Sequence, residues 1–373
     1  MRTLTRLLFA IAVPGWVTAA GAQARPALSA AADTNDWNAY HDRGVELLRG
    51  NPAAADELFR WAVRLDPSRP EPLYGRWVAF HLRDKYRFMR YLRADDAHPL
   101  RDPAVVAADS LQLRALALNP FFYRALLAAA YAQLPGGWSR DPYTHAFLEY
   151  AYGRLDQAEA ELAEVARTSR DKVPARYTRA LVLANLRRYD EARVELDSVV
   201  AALRVSDERR ARAFYQSKDV LIYSIGLLYL AQNRYAEARE AFAQAVVEDA
   251  SQWYTHRGLA LTLRTEGRAA EALGEYRTAL ELAGDEPMLI AEYAEALTLA
   301  GDHAAAVEQL SRLVRIAPDW AAAWRALGDA EVRAGNGAAA ADAFSTYLAR
   351  ARRGDLAAVR VREQLVRLRT PSP

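Results

Sequence analysis

Residues 324–348 read WRALGDAEVRAGNGAAAADAFSTYL. Small residues stand at Gly328 and Ala340, a further glycine at Gly335, and a large ring at Phe344. The same arrangement occurs three times upstream. The matching alanines are Ala238, Ala272, Ala306 and Ala340, each 34 residues after the one before. That is the period of a helix–turn–helix solenoid unit. The four copies run from Val220 to Leu348.

Stacking explains the repeated residue types. A helix pair buries its apolar side only when another pair covers it. Gly226, Ala260, Ala294 and Gly328 are small where the two helices of a unit cross closely. The repeated alanines serve the second helix in the same way, and a leucine there would overpack the crossing by roughly 1–3 kcal/mol. Phe242, Tyr276, Leu310 and Phe344 fill the gap between units. Gly267, Gly301 and Gly335 fall in the turn between the helices, where a positive φ costs glycine least.

Outward from this block the rhythm weakens. Gly153, Ala158, Leu162 and Val165 mark one unit, and Leu183, Tyr189, Ala192, Leu196 and Val199 the next. Ala158 and Ala192 keep the 34-residue spacing, but Ala192 to Ala238 is 46, which places about a dozen extra residues around Ala201–Gln216. Near the start, Asp36 reads as an N-cap before Tyr40, Gly44 and Leu47, with a turn at Gly50-Asn51-Pro52 and a second helix through Ala55, Phe59 and Ala62. A further pair starts at Pro72, is interrupted at Arg83–Pro103, and resumes through Ala108 and Ala115 to Pro120. A helix from Phe121 to Gln133 is broken by LPGGWSRDPY, Leu134–Tyr143. At the far end Asp355–Arg369 reads as a capping helix that shields the last unit. The expected divisions are a disordered lead at 25–35, irregular helical repeats at 36–143, a regular array at 144–352, and cap and tail at 353–373.

Trp324, Leu327, Gly328, Ala340 and Phe344 sit where the tetratricopeptide repeat family has its marked residues, and the chain resembles that family. It departs from the pattern at Glu331, where a tyrosine is usual, and at Ile222, which stands for the tryptophan. The resemblance implies an all-α, right-handed α-solenoid whose first helices line a concave groove for a protein or peptide partner. Carried onto this sequence, the groove residues are Tyr177, Asn185, Tyr223, Tyr254, Arg257, Arg264, Glu295, Arg325, Asp329 and Arg333. Arginine suits such a surface because its fork grips a carboxylate through two parallel bonds. The lysine–asparagine set with which some members hold a C-terminal carboxylate is missing: Tyr177 with Leu181, Tyr223 with Leu227, and Arg257 with Leu261 stand there.

Composition narrows the setting. Arg2 and Arg6, the apolar run Leu7–Val13, and Ala22-Gln23-Ala24 have the layout of a secretory signal peptide, 1–24. The run is too short to span about 30 Å of hydrocarbon, and no transmembrane segment is expected later. Cleavage after Ala24 removes two of the 49 basic residues and none of the 47 acidic ones, so the formal charge falls from +2 to zero. A neutral mature chain argues against nucleic acid as a partner. The absence of cysteine excludes disulfides, thiolate metal sites and lipid attachment at a cysteine. The expected location is periplasmic or secreted.

Chemistry-bearing motifs are sparse. No two of the six histidines are spaced as a helical metal pair, and Asp95, Asp96 and His98 form the one local cluster of ligand types, read as a solvated loop. No nucleophile elbow, phosphate-cradling glycine loop or dinucleotide fingerprint occurs. No metal, cofactor or catalytic residue is therefore expected. The aromatic band Tyr74–Tyr152 reads first as core repair around the inserts and second as an interaction surface. The sequence favours a non-enzymatic binding scaffold or adaptor of the bacterial cell envelope. A structural or assembly component is the alternative, with an enzyme subunit using the irregular N-terminal third behind it. Oligomeric state stays open.

Overall fold

Among the described residues, the apolar stripes that recur at the helical period form helices. The computed structural model describes residues 25–83, 103–122, 141–170, 172–205 and 217–369. Among these are seventeen helices and no strand. They come in pairs: α1 (Trp37–Leu47) with α2 (Pro52–Leu65), α3 (Pro70–Arg83) with α4 (Pro103–Leu118), α5 (Pro142–Ala151) with α6 (Leu155–Thr168), and α7 (Val173–Asn185) with α8 (Tyr189–Val205). The regular block supplies α9 (Lys218–Ala231) with α10 (Tyr235–Glu248), α11 (Trp253–Thr265) with α12 (Ala269–Ala283), α13 (Pro287–Leu299) with α14 (His303–Ile316), and α15 (Ala321–Arg333) with α16 (Gly337–Arg350). α17 (Ala357–Arg369) closes the series. Helices packed together are for the most part neighbours in sequence, so the fold is an all-α repeat solenoid.

The segment 1–24 expected as a signal peptide, the Asp95–His98 cluster, most of the helix expected at Phe121–Gln133, and most of the three breaks in rhythm lie outside the described residues, within 1–24, 84–102, 123–140 and 206–216.

Caps and turns follow the sequence. Asp36, Asn51, Asp141 and Asp302 each accept a bond from a backbone N–H in the first turn of the helix they precede. Gly153, Gly267, Gly301 and Gly335 take φ near +80° in the turn inside their units. At the equivalent places Arg187 and Asn233 adopt the same left-handed backbone, at φ 60° and 59°.

The packing of small against large is now specific. The ring of Phe242 lies against both Gly226 of its own unit and Gly258 of the next. Phe59 lies in the same way between Gly44 and Gly75, so the first units, expected to be irregular, stack by the rule of the regular block. In the aromatic band, Tyr74 packs against Trp77 and Phe122 with ring centroids 5.3 and 5.0 Å apart, and all three are buried. At the end, Ala358, Val361 and Leu365 of α17 cover Ala340, Phe344 and Tyr347 of α16.

Residues 25–35 differ from the expected disordered lead. The Arg353 amide donates to Asp33, the Arg353 guanidinium reaches the Ala32 carbonyl, and Asn35 reaches the Ala349 carbonyl. Arg25 stacks over Trp61, 5.2 Å from the ring centroid. The lead lacks periodicity because it forms no helix; its order comes from polar groups more than 300 residues away in the chain.

Candidate interaction groove

The first helices of successive units share one face. Each turns a row of side chains toward that face, and the unit period repeats the row. The segment 103–122 touches four of them. The Phe121 carbonyl accepts from Asn185 Nδ2 of α7 at 3.0 Å. The Ala117 carbonyl accepts from Tyr223 of α9 at 2.7 Å and from Arg257 of α11 at 2.8 Å. Arg114 forms a two-pronged bond with Glu286, at the start of α13, at 2.7 and 3.1 Å. One short segment can reach the first helices of four successive units only from the side they face in common. The array also bends back on itself: Arg64 at the end of α2 pairs with Asp319, just before α15, at 2.7 Å.

Arg257 is the centre of this face. Its Nε and Nη2 donate to the two oxygens of Glu292 on α13 at 2.8 and 2.7 Å, and its Nη1 donates to the Ala117 carbonyl and to the Tyr223 hydroxyl. Burial alone would lower the Arg257 pKa, but the Glu292 carboxylate more than offsets it and raises it above the ordinary value. Burial likewise pushes the Tyr223 and Tyr254 hydroxyls up, so both stay protonated donors. Ala117 lies in the last turn of α4, where a helix leaves carbonyls without an internal donor. A guanidinium there also meets the negative end of the helix dipole.

The ten residues assigned to the groove divide into groups. Tyr223, Tyr254 and Arg257 come together in the interior; the two tyrosine rings are 5.2 Å apart, and Tyr254 donates to Asp219. Asn185 joins them through the same segment, and Tyr177 is half-buried against the neighbouring core. Arg264 and Glu295 form an ion pair with each other. Arg325 and Arg333 are exposed near half-buried Asp329, whose carboxyl is raised by burial against the opposing effect of Arg325, Arg333 and Arg360. The inner face is thus filled at its middle by the chain's own α4 and open at its C-terminal end.

Sequence reasoning missed Glu292, Glu286, Arg114 and the Ala117 carbonyl. Glu292 follows Arg257 by 35 residues, one unit plus one, so a search for opposite charges on adjacent first helices would have found that pair. Arg114 and Glu286 are 172 residues apart and carry no local signal. Among the described residues no three His, Asp or Glu side chains gather as a metal site. No described helix is long and apolar enough to cross a membrane.

Residues 223–287 and 263–330 match two models described as tetratricopeptide repeat. Residues 223–330 are therefore tetratricopeptide repeats. Among solved structures, the chain is similar to a tetratricopeptide repeat protein from Parabacteroides merdae ATCC 43184, at 12% identity and a TM-score of 0.42, over 90% of this chain and 99% of that one. YrrB, described as a TPR protein with an unusual peptide-binding site, is 17% identical with a TM-score of 0.40, over 54% of this chain and 96% of its own. The APC/C hetero-tetramer Cut9–Hcn1 matches at 11% identity and a TM-score of 0.47, over 90% and 76%. No curated protein matches the chain in sequence.

Proposed function

We propose that this tetratricopeptide repeat protein is a non-catalytic scaffold that binds a protein or peptide partner outside the bacterial cytoplasm. One observation carries the reading. The inner face already holds a peptide segment, with Arg257 and Tyr223 converging on one main-chain carbonyl. Donors fixed by buried neighbours and aimed at a main-chain acceptor are what peptide recognition needs. The open end of the same face, at Arg325, Asp329 and Arg333, is where a partner enters. The signal-like segment and the lack of cysteine support export.

The test is affinity capture from an envelope extract, comparing the wild type with Arg325→Ala/Arg333→Ala. Loss of a captured protein from the variant is the expected result. Equal recovery by both would remove this face from the reading. The mature N-terminus, read by sequencing, is expected at Arg25, and an uncleaved chain would remove the assignment to the periplasm or exterior.

A further inference from the structure

We propose that the outer face of α17 docks on an anionic lipid surface, its exposed aliphatic side chains entering the headgroup boundary between arginines that bind lipid phosphates. This goes beyond the scaffold reading and involves a helix that follows the last repeat unit.

The helix is apolar on two sides. Ala358, Val361 and Leu365 face inward and cover α16. A terminal cap of a repeat array is ordinarily polar on its outer side, because no further unit covers it. Here Leu356, just before the helix, and Val359 and Val366 within it are 85%, 53% and 65% exposed. They are three of the ten large apolar side chains that are exposed among the described residues. Steps of three and four residues place Val359, Arg362, Val366 and Arg369 on one strip of the helix, and Arg360, Glu363 and Arg367 on the strip beside it. All seven are exposed.

The charge on this face is uncompensated. Seven arginines and two acids lie between Arg350 and Arg369, a net +5, against +2 for the whole 373-residue chain. Earlier in the array, exposed arginines meet carboxylates a few residues away, as Arg167 meets Glu164, Arg188 meets Glu191 and Arg268 meets Glu271. Among the described residues Arg360 and Arg362 make no ion pair, and Arg369 donates only to the Ser345 hydroxyl. Glu363 is the one acid on the outer face, set between Arg360 and Arg367.

Aliphatic side chains between exposed arginines suit a helix lying in a membrane interface. The short apolar groups reach the acyl boundary, and the long arginine stems carry their charge to the phosphates. A nucleic acid would use the arginines but leave the three apolar side chains in water. A symmetric pair of copies joined through α17 would set arginines against arginines, since a two-fold contact uses the same patch twice. An acidic protein would need a surface shaped to this one ridge, whereas a bilayer conforms to it.

The test is flotation of the chain beginning at Arg25 with vesicles of phosphatidylcholine, alone or mixed in equal parts with phosphatidylglycerol. Binding to the mixed vesicles and not to phosphatidylcholine alone is expected, and it should weaken as salt rises from about 0.1 to about 1 M. Arg362→Gln/Arg369→Gln is expected to weaken binding about 30-fold, and Val359→Ser/Val366→Ser about tenfold. Glu363→Gln removes the one acid and is expected to tighten binding about fivefold. All six positions altered or flanked on this face are exposed, so helix content should match the wild type in each variant. Equal binding to both kinds of vesicle, or equal binding by the wild type and the two double variants, would overturn the proposal. So would weaker binding by Glu363→Gln. Self-association in sedimentation that Arg362→Gln/Arg369→Gln abolishes, without vesicle binding, would give the face to a second copy. Binding of a polyglutamate peptide without vesicle binding would give it to an acidic protein. Either result overturns the lipid assignment, while the scaffold reading falls only with the Arg325/Arg333 comparison.

Discussion

Gly226 leaves the space that the Phe242 ring fills: a Cβ at position 226 would lie 2.5 Å from Cε1 of that ring. The ring has nowhere to retreat, because Gly258 of the next unit bounds its other side. Gly226→Ala is therefore expected to destabilise the chain. Overpacking costs about 1–3 kcal/mol, and the close approach places this site at the upper end. The better helix propensity of alanine returns about 1 kcal/mol. A net loss of about 2 kcal/mol in urea unfolding is expected. Elsewhere Ala294 shares its core cluster with Leu310, so Gly226→Ala/Phe242→Leu should recover much of the loss. If the single substitution is neutral, the crossing is looser than the structure shows.

Arg187 takes a left-handed backbone, φ 60°, in the turn where four other units place glycine. A side chain in that region costs about 1–2 kcal/mol, and glycine escapes the penalty. Arg187 is exposed, and among the described residues its side chain makes no bond or ion pair that replacement would lose. Arg187→Gly is expected to raise stability by about 1 kcal/mol, read as a higher melting temperature. Asn233→Gly, at the matching φ of 59°, should gain less because asparagine tolerates this conformation. A larger gain at 233 than at 187 would contradict the backbone argument.

Most of the fold was legible because stacking is local. Gly335, Ala340 and Phe344 declare a unit within about twenty residues, and the next unit repeats the message 34 residues away. The alternation even sorts itself by size, with Gly226 against Phe242 and Gly328 against Phe344. What the sequence concealed was the use of the inner face. Tyr223 and Arg257 were placed on the groove by their position in the unit. Their partner is a carbonyl 106 and 140 residues away, and main-chain groups carry no residue code. The lead 25–35 was misread for the same reason: Asp33 and Asn35 are ordered by Arg353 and Ala349, at the opposite end of the chain.

Asp329 links the open end of the groove to pH. Burial lifts its carboxyl above the usual 3.8, and the nearby Arg325, Arg333 and Arg360 only partly restore it. An acid whose folded pKa is raised weakens the fold where it is ionised. That penalty is full above the folded pKa and vanishes below the unfolded value, near 3.9. Asp329→Asn removes it, so the variant should be more stable than the wild type at neutral pH. The difference should shrink as pH falls through the interval between those two values. Thermal melts of both proteins from pH 7 down to about 3.5 decide it. A gain that persists at the acidic end would come from something other than titration of this carboxyl.

Arg257 and Glu292 are 7% and 6% exposed and bonded through two prongs, so neither charge can be stranded without cost. Glu292→Ala leaves a buried guanidinium that keeps only the Ala117 carbonyl and the Tyr223 hydroxyl. Breaking one side of such a pair typically costs about 3–5 kcal/mol. Replacing both partners by apolar residues of similar size is often neutral, because the desolvation of two charges disappears along with their attraction. Arg257→Met/Glu292→Leu should therefore be more stable than Glu292→Ala alone, although Ala117 and Tyr223 lose a donor. Urea denaturation of the two variants and the wild type measures the ordering. A double variant less stable than the single one would show that the bond of the guanidinium to the α4 carbonyl contributes more to stability than its pairing with Glu292.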